Sequence, residues 1–102
     1  MATLHTVNKS PFERNAFAAA IKRMRPGDIL LAIEDGVVGA RKASAFAKDL
    51  EAAAKAGSVY VLGPDLAARG MRAEDLIGGV KIVDYGGFVD LVAKSDRTQA
   101  WL

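Results

Sequence analysis

A chain of 102 residues, 51% hydrophobic and 25% charged, has the size of one domain, residues 1–102, built on a single modest core. Its formal net charge of +2, from 14 basic and 12 acidic side chains, is too small an excess to argue for a nucleic-acid surface. Zero cysteines and one histidine exclude a disulfide framework, a thiolate metal site and a Cys nucleophile, and no metal or cofactor is expected.

The N-terminus has no signal-peptide core, and no run approaches the about 18 apolar residues of a membrane span. A cytoplasmic domain is the expectation. The apolar fraction lies slightly above the usual soluble range, which hints at surface kept for a partner.

Residues 2–7 read as a first strand. Asn8-Lys9-Ser10-Pro11 then turns the chain into a helix over residues 11–24. Ser10 is a good N-cap, Pro11 suits the first helical position, and Glu13 completes a capping box. Phe12, Ala16, Phe17, Ala20, Ile21 and Met24 recur at helical spacing as the buried stripe. Lys22, Arg23 and Arg25 gather at the helix end. There the favoured account is complementing the helix dipole, ahead of an anion-binding patch. The lone His5 reads as a satisfied structural residue rather than a ligand.

Asp28 opens an uninterrupted apolar run, Ile29 to Ile33, of the kind found in strands covered on both faces of a parallel sheet. Glu34-Asp35-Gly36 follows as a turn with an acidic edge, Gly36 supplying a positive φ or a close backbone approach. Val37 to Ala56 reads as one helix or two, with Ser44 as a cap or an interruption. Its stripe is Phe46, Ala47, Leu50, Ala53 and Ala54, and Gly57 is the stop. Ser58 to Leu62 is a third strand. Gly63-Pro64-Asp65 turns into a short helix over Leu66 to Arg69, ended by Gly70. A short helix is possible around Ala73 to Ile77. Asp65, Arg69 and Arg72 read as surface charges.

Val80 to Val83 is a fourth strand. Asp84-Tyr85-Gly86-Gly87 follows it, but the phosphate-loop spacings are absent. Phe88 to Lys94 reads as helix, and a further strand is possible in the last ten residues. A free Trp101-Leu102 end would fray in water, so it is expected to dock, either on its own sheet or across a subunit contact. The alternation predicts an α/β fold: a single three-layer domain with a mainly parallel sheet flanked by helices. Residues at the strand ends, namely Asn8, Lys9, Ser10, Glu34, Asp35, Asp84 and Tyr85, are the candidate binding set. Phe88, Trp101 and Leu102 are the candidate interface set.

Several blocks carry a resemblance. They are residues 4–15 (LHTVNKSPFERN), 34–37 (EDGV), 59–70 (VYVLGPDLAARG), 83–91 (VDYGGFVDL) and 99–102 (QAWL). In this order they resemble the DsrH/TusB family of sulfur-relay subunits, closer to the DsrH branch of sulfur-oxidising bacteria than to the TusB branch of tRNA thiolation. The resemblance implies a DsrEFH-like fold and a cytoplasmic complex with DsrE/TusD-like and DsrF/TusC-like subunits, two copies of each. It also implies a TusA-like sulfur donor and a DsrC/TusE-like acceptor acting through those partners, with no membrane and no direct nucleic-acid contact. The family's usual cysteine in the first helix is Ala20 here. A methyl group cannot ionise or hold persulfide sulfur. The expected role is therefore a non-catalytic structural subunit. A stand-alone ligand-binding module using the strand-end set is the alternative from a different class.

Overall fold

The structure, a computed structural model, describes residues 2–10, 16–42, 47–56 and 58–102. Five strands form one sheet: β1 Thr3–Val7, β2 Ile29–Ala32, β3 Ser58–Leu62, β4 Lys81–Val83 and β5 Arg97–Trp101. Their spatial order is β4-β3-β2-β1-β5, and every pairing is parallel. Parallel neighbours need crossovers. These are supplied by α1 Ala16–Arg23, α2 Ala47–Ala56, α3 Gly63–Ala68 and α4 Tyr85–Lys94, with two 3-10 helices, Glu34–Ala40 and Ala73–Asp75.

The chain steps from β1 to β4 in one direction, then returns across the whole sheet to β5. Right-handed crossovers put helices on opposite faces for opposite directions of travel. The packing follows that rule. On one face Val7, Leu30, Ala32, Val59 and Val61 meet Phe17 and Ala20 of α1, Leu50 and Ala53 of α2 and Leu66 of α3. On the other, Leu4, Ile29 and Leu31 meet Leu91, with Phe88, Tyr60 and Val83 at the margin. All four residues of β2 are buried, as its continuous apolar run predicts. The three-layer arrangement read from the sequence is the one observed.

Boundaries shift at several points, each for a local reason. The Ser10–Glu13 capping box, Phe12, Ser44, Phe46 and the Gly57 stop lie outside the described residues. Residues 37–56 resolve into a 3-10 helix and a separate α-helix. The 3-10 helix begins at Glu34, whose φ of 49° takes the left-handed turn that the sequence offered to Gly36. Gly36 serves the other purpose foreseen for it: a Cβ there would collide with the Val7 carbonyl oxygen. The helix expected at Leu66 starts at Gly63, with Pro64 in its first turn.

The last helix starts at Tyr85, ahead of the expected Phe88. Asp84 is its N-cap, accepting from the Gly87 amide at 2.8 Å. The glycine pair thus occupies a helical turn. At Gly87 a Cβ would sit 2.8 Å from that of Val83, so the glycine lets α4 lie close on its strand. The possible fifth strand is real and closes the sheet beside β1. No described helix is long and apolar enough to cross a membrane.

Candidate functional site

Because all five strands run parallel, every strand-to-helix turn lies along one edge of the sheet. Asn8-Lys9-Ser10 leaves β1, Glu34-Asp35 leaves the neighbouring β2, and Asp84-Tyr85 leaves β4, two strands further on. The structure therefore brings the first five of these residues onto adjacent strands and holds Asp84 and Tyr85 at the sheet margin. There Asp84 is engaged as a helix cap, and Tyr85 is 61% exposed.

The acidic turn is tied down from an unexpected direction. The Glu34 amide donates to Asp65 Oδ2 at 2.6 Å. Arg69 grips Asp35 through Nε (3.0 Å) and Nη2 (2.8 Å), and its Nη1 donates to the Asp65 carbonyl at 3.2 Å. Asp65 and Arg69, which the sequence presents as surface charges, are what fasten the β2 turn to α3. Their partners lie 31 and 34 positions away, beyond any local pattern. Exposed pairs of this kind contribute little stability and mainly fix geometry. Asn8 carries the opposite feature: its Oδ1 is buried with no hydrogen-bond partner among the described residues.

At the other end of the strands lies a buried polar cluster. His5 and Asp28 are buried, 5% and 4% exposed. Asp28 Oδ2 lies 3.0 Å from His5 Nε2 and accepts from the Arg25 amide at 3.0 Å. Its Oδ1 accepts from the Thr3 amide at 3.0 Å. Burial opposes the charge of this carboxylate. The hydrogen bonds from Arg25, Thr3 and His5 together outweigh it and hold Asp28 below the ordinary aspartate range.

The imidazole tautomer follows from the partners. Indole N–H only donates, and Trp101 Nε1 donates to His5 Nδ1 at 3.1 Å. Nδ1 is therefore bare, and Nε2 carries the proton donated to Asp28. With both nitrogens committed and the ring buried, His5 has no lone pair to offer a substrate. The Asp-His pair resembles a catalytic dyad only in composition; it fastens β5 and the start of β2 to β1. The reading of His5 as a structural residue fits this geometry. Trp101, expected from the sequence to dock on its own sheet or across a subunit contact, docks here on its own sheet, while Asp28 gave no such signal in sequence.

Two further positions bear on chemistry. Ala20 is completely buried, packed in the larger core under α1. Tyr85, Val89 and Val92 of α4 stand exposed, and with Phe88 and Ala93 they line an apolar depression on the outer face of that helix. Phe88 is half-buried between this surface and the smaller core. Trp101 is half-buried against the larger core on its own sheet, and Leu102 is exposed.

Comparison with known proteins agrees with this architecture. The structure superposes on a protein of unknown function from Methanobacterium thermoautotrophicum with TM-score 0.80, at 18% identity and covering 97% of each chain. The ychN protein of E. coli follows at TM-score 0.77 and 18% identity, covering 98% of this chain and 99% of that one. These likenesses concern the fold. In sequence, residues 9–98 match the family described as DsrH like protein. Protein TusB of Escherichia coli strain K12 is 35% identical over 98 residues, which is 96% of this chain and 99% of TusB. Protein TusB of Shigella flexneri shows the same identity and coverage. With the blocks that carry the resemblance lying in order along one shared fold, the chain belongs to the DsrH/TusB family.

Proposed function

We propose that this chain is a non-catalytic subunit of a cytoplasmic sulfur-relay complex, assembled with DsrE/TusD-like and DsrF/TusC-like subunits. The observation that carries the reading is the uncovered apolar face of α4. Tyr85 and Val89 are 61% and 66% exposed there, and Val92 of the same helix is exposed too. Contiguous apolar surface of this kind marks an interaction site. The absence of cysteine is the complementary point: persulfide transfer needs a thiolate, and this chain has none to contribute.

Within that reading, Phe88 belongs to the contact through α4, while Trp101 and Leu102 at the end of β5 form a second candidate contact. Two copies of each subunit is the expected stoichiometry. A TusA-like donor and a DsrC/TusE-like acceptor would exchange sulfur with the partners rather than with this chain. The TusB relatives support tRNA thiolation as the pathway served. The family description keeps the sulfur-oxidation branch, with its DsrEFH complex, as the alternative. The strand-end set of Asn8, Lys9, Ser10, Glu34 and Asp35 remains the place for a ligand if the chain works alone.

Native mass spectrometry of the chain co-expressed with its two candidate partners tests the proposal. The expected result is one hetero-oligomer containing all three, with persulfide found on a partner and never on this chain. A chain that ignores both partners overturns it.

A further inference from the structure

On the α1 face of the sheet, α1 packs beside β5. Val7 pairs with Trp101, His5 with Gln99 and Thr3 with Arg97, so Arg97, Gln99 and Trp101 point to the same side as His5. Arg23 and Arg25, at the end of α1 and in the turn after it, complete the wall of a cleft of about 480 Å³. In the sequence, Arg23 and Arg25 read first as complementing the helix dipole, ahead of an anion-binding patch. The fold adds a third guanidinium from 72 positions further on, Arg97 against Arg25.

None of the three arginines has an ion-pair partner among the described residues. Among the described residues, Asp28 is the carboxylate that lines the cleft, and it accepts from the Thr3 and Arg25 amides and from His5. Three forked donors without a direct ion-pair partner among the described residues therefore outnumber one ionised carboxylate in the cleft, beside the Gln99 amide and one wall of indole.

We propose that this cleft binds a phosphate-type oxyanion, held by Arg23, Arg25 and Arg97. Guanidinium groups match the geometry of phosphate oxygens two bonds at a time, and three of them from separate elements favour a compact, multiply charged group. The cleft volume falls in the range of small-molecule sites, which admits a bare phosphate or a phosphate carried on a nucleoside. This reading is independent of any partner subunit, so it can stand or fall separately from the assembly proposed above.

The test is titration of the whole chain with inorganic phosphate and, separately, with adenosine monophosphate, at ionic strength held constant with chloride. Calorimetry gives affinity, and nuclear magnetic resonance follows the Trp101 indole N–H and the His5 ring. Saturable binding that moves both signals is expected. Arg97→Gln and Arg23→Gln should each weaken it about tenfold while leaving thermal unfolding unchanged, since both side chains are exposed. Tighter binding of the nucleotide assigns a nucleotide site, and equal binding assigns a bare oxyanion site. Shifts no larger than chloride alone produces overturn the proposal. So does binding that both arginine variants retain in full.

Discussion

At Asp28 the fold keeps a carboxylate ionised against burial, and this makes stability depend on pH in one direction. Its folded pKa lies below the unfolded value, so the unfolded chain takes up the extra proton as pH falls. The stabilisation is complete above about pH 4 and is lost as the pH drops through the folded value. Urea unfolding should show Asp28→Asn less stable than the parent by about 2 kcal/mol at neutral pH, with the gap narrowing in acid. His5 gives a prediction without a titration: nitrogen-15 spectra should show the tautomer protonated at Nε2. A proton on Nδ1 would mean that the Trp101 bond is absent in solution. Gly36→Ala should cost more than about 2 kcal/mol in thermal unfolding, because its methyl would have to displace the end of β1. Of these residues, Gly36 was legible in sequence as a special backbone position. His5 was legible as structural. Asp28 was not, since its partners come from β1 and from the turn before β2, and no spacing rule joins them.

Among the elements, α4 and β5 carry the functional argument and were the least sharply marked. The β2 run announced itself because burial on both faces leaves no polar alternation to blur it. The start of α4 was hidden by Gly86 and Gly87, which suggest a loop until Asp84 is seen capping them and Val83 is seen requiring the small residue. The strand β5 reads Arg-Thr-Gln-Ala-Trp, mostly exposed, as suits a sheet edge kept polar against stray pairing. On α4, Val89→Asp should leave the stability of the isolated chain within about 0.5 kcal/mol, as for other exposed sites, while abolishing co-purification with the partner subunits. Unimpaired assembly would remove this helix from the contact. On β5, Trp101→Phe keeps an aromatic ring but strips His5 Nδ1 of its donor. A loss of about 1–2 kcal/mol in the isolated chain is expected by chemical denaturation.

For the molecule as a whole, the asymmetry of its two sheet faces was not readable from helix count alone. The order β4-β3-β2-β1-β5 decides that three helices lie on one side and one on the other. That imbalance leaves α4 and its surroundings apolar and open, while the β5 edge of the crowded face lines a basic cleft beside α1. The high hydrophobic fraction pointed to spare apolar surface without locating it. The placement of β5 has a temporal consequence as well. Trp101 and His5 meet across 96 positions, so this edge of the sheet joins a strand made late to one made early. During translation β1 must wait with one side unpaired, its backbone donors and acceptors open to any passing strand, until Arg97–Trp101 has emerged. Contacts so distant in sequence form slowly. A nascent or shortened chain lacking Arg97–Trp101 would therefore present a sticky β1 edge, and its aggregation should be suppressed by a peptide of that sequence supplied in trans.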